Sequence, residues 1–153
     1  MRMDAIIVIP YVDTLHRSEV IALWEAVFSY NTAHNKPELA IDKKLAAKDQ
    51  LFFVALAGDL VVGTVMAGYD GHRGWLYSVA VSPSYHRQGI GSRLVSAAET
   101  ALISLGCVKI NLQILEGNQR VIEFYASLGY SEERRISMGK PIRQNIPSSR
   151  TGL

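Results

Sequence analysis

The stretch SPSYHRQGIGSRL, Ser82 to Leu94, lies between an apolar run, WLYSVAV (Trp75 to Val81), and an amphipathic run that begins at Ile90. The first run reads as a strand. The second reads as a helix whose apolar stripe is Ile90, Leu94, Ala98, Leu102 and Leu105, ended by Gly106. Gly89 and Gly91 therefore mark a strand-to-helix turn. A helix N-terminus offers unpaired backbone N–H groups and a partial positive charge, and glycine lets that backbone approach an anion closely. Arg87 adds a fixed charge, and Arg93 follows one turn later. The stretch is thus a plain turn or a cradle for phosphate. No Walker run G-x-x-x-x-G-K-[ST] exists, and a dinucleotide fingerprint needs a third glycine or alanine where Leu94 stands.

Outward from the turn, Ala5 to Val12 reads as a first strand. A helix with Val20, Leu23, Trp24, Val27 and Phe28 on one face follows, capped by Asp13 or Thr14. Tyr30 to Lys36 reads as loop, and Pro37 opens a short helix carrying Leu39, Ile41 and Leu45. LFFVALA and LVVGTVMAG flank Gly58-Asp59, a two-residue hairpin turn, and YDGHRG (Tyr69 to Gly74) makes a second turn. In the strand that follows, alternation puts Trp75, Tyr77, Val79 and Val81 on one face, and Leu76, Ser78 and Ala80 on the other. After the glycine turn and its helix, VKINLQIL alternates as a strand, with Val108, Ile110, Leu112 and Ile114 on one face. Asn118 caps a helix from Gln119 to Leu128 that Gly129 ends, and a last strand runs from about Tyr130 to Met138. The order β-α-α-β-β-β-α-β-α-β implies one mixed α/β sheet with helices on its faces.

The 153 residues suffice for one domain, expected over residues 1–143, with 144–153 as a loose polar tail. A net charge of +2 without a long basic run gives no sign of nucleic-acid binding. The start, AIIVIPYV, is too short to span a bilayer, so no membrane association is expected. The one cysteine, Cys107, forms no intrachain disulfide and reads as a small buried apolar residue; a reducing, cytoplasmic setting fits. His16 and His34 read as helix-entry and loop residues. No set of ligands has metal-like spacing, so no metal is expected.

Two separated motifs decide between turn and cradle: VAVSPSYHRQGIGSRLVSAAE, and N-x6-Y-x3-G-Y at Asn118, Tyr125, Gly129 and Tyr130. In order and spacing they resemble the GNAT superfamily of acetyl-CoA-dependent N-acetyltransferases, over roughly Phe52 to Lys140. The pieces NKPELAIDKKL, GTVMAGYDGHRG and SMGKPI also look like its small bacterial YpeA-type branch. The family's turn opens with Gln or Arg where this chain has His86, which implies altered local contacts rather than loss of binding. The resemblance implies a mostly antiparallel sheet in which the strand before the turn splays from a parallel neighbour, with acetyl-CoA lying in the gap as acetyl donor. It assigns the pantetheine arm to the backbone of Val79, Ala80 and Val81, and the pyrophosphate to Arg87, Gln88, Gly89, Ile90, Gly91 and Ser92. Asn118 gains a cofactor contact beside its capping role.

The implied chemistry is attack of a neutral amine on a thioester. An N–H must meet the developing oxyanion, which the resemblance gives to the backbone near Val79 or Ala80. Tyr125 matches the tyrosine often assigned to protonate the leaving thiolate. A phenol with an ordinary pKa near 10 carries its proton at neutral pH, although an amphipathic core tyrosine would look the same. Where some family members carry a glutamate base, this chain has Gln113. Glu116 lies nearby but also fits a solvated loop carboxylate. His72 is a second candidate base or simply an exposed turn residue, and Asp70 and Arg73 beside it are candidates for holding the acceptor. A lysine amine is neutral in about one part in two thousand at pH 7, an α-amine in about a tenth. The acceptor expected is therefore a weakly basic primary amine: a small amine, an amino acid or a protein N-terminus. The alternatives are a non-catalytic acyl-CoA-binding protein on the same fold, an interaction module whose turn binds nothing, and a nucleotide-binding regulator. Pairing of edge strands would make a homodimer.

Overall fold

The computed structural model describes residues 5–28 and 36–142. The chain divides into two compact units, Met1–Gly117 and Asn118–Leu153, of which the second is described through residue 142. His34 and the tail from residue 144 lie outside the described residues.

The first unit is built on β1 (Ile6–Pro10), α1 (Asp13–Val27), α2 (Pro37–Ala47), β2 (Phe52–Ala57), β3 (Leu60–Tyr69), β4 (Gly74–Val81), α3 (Ile90–Ser104) and β5 (Ile110–Asn111). The strands form one sheet in the order β1-β2-β3-β4-β5, antiparallel except for the parallel β4–β5 pair. The Gly58-Asp59 hairpin forms where the dipeptide predicts it, with Ala57 opposite Leu60. One residue is extra in β3: Ala55 pairs with Gly63 but Leu56 with Val61. There the Glu19 carboxylate of α1 accepts the Val61 N–H at 2.8 Å.

Adjacent residues of β3 show that helices cover both faces. A side chain at Gly63 would point into Leu94 and Ile90 of α3. Next along, Thr64 bonds Trp24 of α1. On the α1 face Val20, Leu23, Trp24 and Ile41 pack against Phe52, Val54, Met66 and Ala80. On the α3 face Ile90, Leu94, Val95, Ala98 and Leu102 are buried. Burial of Ile90, Leu94, Val95 and Leu102 contributes roughly 6–12 kcal/mol before the entropy of ordering is subtracted. Leu105, expected in that stripe, is half exposed, because the helix ends before it.

The helix entries differ from expectation in instructive ways. Neither Asp13 nor Thr14 caps α1. His16, buried, turns back and accepts the Val12 N–H on Nδ1 at 2.9 Å. Burial pushes its imidazole pKa down, which keeps that nitrogen an acceptor. On α2, Ile41 is buried as predicted, but Leu45 is partly exposed and Lys44 goes inside instead. The Lys44 ammonium donates to Asp49 Oδ2 at 2.7 Å and to the Ala67 carbonyl, and sits 5.3 Å from the Tyr77 ring centroid. Its hydrocarbon stem fills the apolar position while its charge is matched at both ends.

In the second unit α4 (Gln119–Ser127) is shorter than expected at its C-terminal end. Asn118 stands at the N-cap place but its side chain makes no capping bond. Gly129 ends the helix with φ +96°, and the Tyr130 N–H closes back on the Tyr125 carbonyl at 3.0 Å. The strand expected from Tyr130 to Met138 does not form. Glu132, Glu133, Arg134 and Arg135 break the alternation with four consecutive charges, and Ile136 and Met138 are each 90% exposed.

Candidate functional site

β4 is where the sheet stops being regular. It pairs with β5 only at Gly74↔Ile110 and Trp75↔Asn111, continued by the Gly74 N–H to the Lys109 carbonyl at 2.9 Å. Alternation predicted a longer partner over Val108 to Leu115, but Val108 and Leu115 are 87% and 85% exposed. From Leu76 to Val81, β4 runs on with no strand paired on its β5 side among the described residues. The two parallel strands therefore part after one end is fastened.

A bulge coincides with that parting. Thr64 pairs with Ala80 but Met66 with Tyr77, so Ser78 and Val79 together oppose Val65. Ser78 takes φ +51°, a left-handed backbone that L residues other than glycine adopt at a cost on the order of 1 kcal/mol. The bulge resets the alternation. Ala80 lies on the α1 face with Tyr77, instead of sharing a face with Leu76 as a regular strand would have it.

What holds the bulge is a buried chain of donors. Trp24 Nε1 donates to Thr64 Oγ1 at 2.8 Å, and Thr64 Oγ1 donates to the Ser78 carbonyl at 2.8 Å. Thr64 and Trp24 are essentially inaccessible. A trans peptide points its C=O and N–H in opposite directions. With the Ser78 carbonyl held by the Thr64 hydroxyl, the Val79 N–H is turned away from Thr64 and, by the register, belongs to the part of β4 that has no β5 partner.

At its far end β4 runs into the glycine turn. The Ser82 N–H donates to the Val62 carbonyl at 2.8 Å, a single 3-10 turn spans Pro83–Tyr85, and α3 starts at Ile90. Arg87 (φ +66°) and Gly89 (φ +75°) both take left-handed backbone. Nothing lies within 4 Å of where a Gly89 Cβ would be, so glycine serves conformation there and leaves the approach open. The first helical bond is Arg93 N–H to the Gly89 carbonyl, and no side chain caps the helix. The N–H groups of Ile90, Gly91 and Ser92 thus lie in the uncapped first turn, with no acidic residue there to compete for them. His86 Nε2 lies 3.0 Å from the Val81 carbonyl, bracing the turn against the strand it follows. Arg93 is committed elsewhere: its Nη1 donates to the Ile6 carbonyl of β1 at 2.7 Å.

The other sequence candidates fall as follows. Val79, Ala80, Val81 and residues 87–92 are contiguous along β4, its turn and the first turn of α3. His72 lies beyond the fastened end of β4. Five residues of strand separate Gly74 from Val79, about 16 Å at the usual rise. Asp70 builds its own turn, accepting the N–H groups of His72 and Arg73 at 2.7 Å each. The Arg73 and His72 backbone N–H groups hold its carboxyl below the usual range. Arg73 donates back to the His72 carbonyl at 3.0 Å. Gln113 and Glu116 are exposed, on the stretch that has left β4. In the second unit, Tyr125 is buried, with edge-on ring contacts to Phe124 at 4.9 Å and Tyr130 at 5.6 Å between centroids. Burial pushes its phenol up to about 12. Asn118 is exposed. Cys107 is buried as expected and donates its thiol to the Lys109 carbonyl at 3.2 Å. Among the described residues no group of His, Cys, Asp and Glu could hold a metal ion, and no helix is long and apolar enough to cross a membrane.

The fold that carries this strand and turn is shared with known proteins. The model of the acetyltransferase (GNAT) family matches residues 17–130, and the chain belongs to that family. An acetyltransferase of Yersinia pestis is 42% identical over 122 residues, which are 80% of this chain and 86% of that protein. Among solved structures, a GNAT-family acetyltransferase of Streptococcus pneumoniae is 25% identical with a TM-score of 0.68, covering 93% of this chain and 100% of its own. The PaiA N-acetyltransferase of Thermoplasma acidophilum, solved in complex with coenzyme A, has the same fold: TM-score 0.68, 17% identity, 86% of this chain and 93% of its own.

Proposed function

We propose that this acetyltransferase moves an acetyl group from acetyl-CoA to a weakly basic primary amine by direct attack. The amine nitrogen forms a bond to the thioester carbon, the C–S bond breaks, coenzyme A leaves as thiolate, and the proton shed by the nitrogen passes to solvent. The observation that carries the proposal is the Ser78–Val79 peptide. Its carbonyl is bound to Thr64, and since a trans peptide opposes its C=O and N–H, its N–H is turned away from Thr64. An N–H fixed in advance, in the parted strand, suits a charge that develops on the thioester oxygen. The uncapped turn at residues 87–92 supports binding of the pyrophosphate through backbone N–H groups.

Tyr125 is assigned by its motif to donate a proton to the thiolate. A phenol held near 12 carries that proton throughout the neutral range. Asn118 is assigned a cofactor contact on the same footing, and its lack of a capping bond leaves the amide available. His72 is set aside as base, since it lies in the turn beyond Gly74, which is itself about 16 Å along the strand from Val79. Gln113 has no proton-accepting chemistry of use, and Glu116 is a solvated carboxylate. Without a strong base, the acceptor must supply its own neutral amine, which favours an α-amine or small amine of pKa near 8 over a lysine side chain. A reaction site with these needs fits a protein of the cytoplasm, where acetyl-CoA is made and used.

The test is release of coenzyme A thiol from acetyl-CoA with a panel of amino acids, peptide N-termini, small amines and lysine side chains. Turnover fastest with amines of pKa near 8 supports the proposal. Binding of acetyl-CoA with no turnover on any amine would favour the non-catalytic acyl-CoA-binding reading.

A further inference from the structure

We propose that Thr64, oriented by Trp24, is a positioning residue for the reaction: the donor chain Trp24 Nε1 to Thr64 Oγ1 to the Ser78 carbonyl sets the plane of the Ser78–Val79 peptide and so aims the Val79 N–H at the thioester oxygen. The inference rests on the acetyl-CoA reading above and adds to it two side chains that never reach the substrate.

Three observations converge on Thr64. First, its hydroxyl is fully committed. It accepts from the indole and donates to a carbonyl, both at 2.8 Å, with the residue entirely buried. A hydroxyl has one donor hydrogen, and the indole N–H can only donate, so the direction of the chain is unambiguous: the proton of Oγ1 must go to Ser78. Second, the carbonyl it binds belongs to the one β4 residue with left-handed backbone, at the point where the ladder to β3 skips a residue. A strained residue persists only where its surroundings over-determine it, and the Thr64 bond supplies that determination. Third, Thr64 is opposite Ala80, immediately beyond the bulge. A single side chain thus meets the bulge from one face and the strand beyond it from its own backbone. Without the hydroxyl, nothing holds the Ser78 carbonyl to Thr64, and as the carbonyl swings away the Val79 N–H swings with it.

Thr64→Val keeps the shape and deletes the hydroxyl, orphaning the indole N–H and the Ser78 carbonyl. Thr64→Ser keeps the hydroxyl. The readout is the infrared carbonyl band of acetyl-CoA labelled with carbon-13 at the acetyl carbonyl, measured bound and free, because a hydrogen bond to the thioester oxygen lowers that frequency. This needs no acceptor. Dissociation constants for acetyl-CoA and thermal unfolding of each variant are measured alongside. The expected result is a lowered band in the wild type and in Thr64→Ser. In Thr64→Val the band returns toward the free value, with acetyl-CoA affinity within about threefold of wild type. A folded Thr64→Val with the wild-type band overturns the proposal. So does loss of affinity in every folded variant, for the chain would then be core structure alone. If Thr64→Val does not fold, Trp24→Phe, which removes the indole donor, and Thr64→Ala replace it and are read in the same way. If neither folds, the chain is core structure and the proposal fails. A wild type that does not bind acetyl-CoA, or binds it with no lowered band, refutes the underlying reading instead.

Discussion

Gly63→Ala is a small change with a consequence that the packing makes calculable. A Cβ at this position would lie 2.8 Å from Leu94 Cδ1 and 3.1 Å from the Ala80 carbonyl oxygen, with Ile90 at 3.4 Å. The carbonyl is backbone of β4 and cannot step aside cheaply. Leu94 is fully buried, so its methyl has no solvent to move into. Overpacking of this kind costs about 1–3 kcal/mol. Alanine's smaller unfolded-state entropy offsets about 0.4–1 kcal/mol of that, leaving a net loss near 1–2 kcal/mol. For a chain of this length that lowers Tm by roughly 2–8 °C. Leu94→Ala alone should cost about 2–5 kcal/mol, but it vacates the space the new methyl needs. The double variant should therefore be more stable than the sum of the singles by about 1–2 kcal/mol in urea unfolding with unchanged m values. Additivity within about 0.5 kcal/mol would refute the contact. Because Gly63 lies beneath the first turn of α3 and beside β4, Gly63→Ala should also weaken acetyl-CoA binding several-fold.

Two further outcomes follow from the titrating groups. Tyr125 is near 12 in the folded protein and near 10 unfolded, so folding holds its proton more tightly. That contribution is whole below pH 10 and is lost between about pH 10 and 12, on the order of 2–3 kcal/mol. Tyr125→Phe should flatten this alkaline limb by that amount. Tyr11, raised chiefly by burial and next by its bond to Asp13, keeps the remainder, and an unchanged limb would mean Tyr125 is solvated. His72→Ala should leave kcat/KM and its pH profile within about threefold of wild type. Loss of an essential group titrating near 6.5 would install His72 as the base after all.

How much of this was legible beforehand divides along local and non-local lines. The α3 stripe, the Gly58-Asp59 hairpin and the helix stops at Gly106 and Gly129 depend on neighbours a few residues away, and pattern suffices for them. The bulge does not announce itself. Ser78 sits in a clean alternation, and only its partners Thr64 and Trp24, 14 and 54 residues away, make left-handed backbone there tolerable. The same is true of Lys44, a polar residue in a helical face, whose burial depends on Asp49 and the Ala67 carbonyl. VKINLQIL has a full strand pattern, yet only two of its residues pair, because β4 and β5 share just one end. The motif around Gly89 and Gly91 was readable as a possible anion site from helix-end physics alone. The family resemblance, not the spacing, gave the donor its name, and the sequence carried no sign that Arg93 would turn to Ile6.

The central claim is that the parted strand and the uncapped turn hold acetyl-CoA. Thermal unfolding of the wild-type chain with acetyl-CoA, coenzyme A, ATP and NAD side by side tests it most directly. Ligand at about a hundred times Kd adds roughly 2.7 kcal/mol of stability, or about 5–10 °C for a domain of this size. A rise of that order with acetyl-CoA and coenzyme A, and none with ATP or NAD, is the predicted result. No rise with either thioester or thiol would contradict it and leave the glycine turn as a turn.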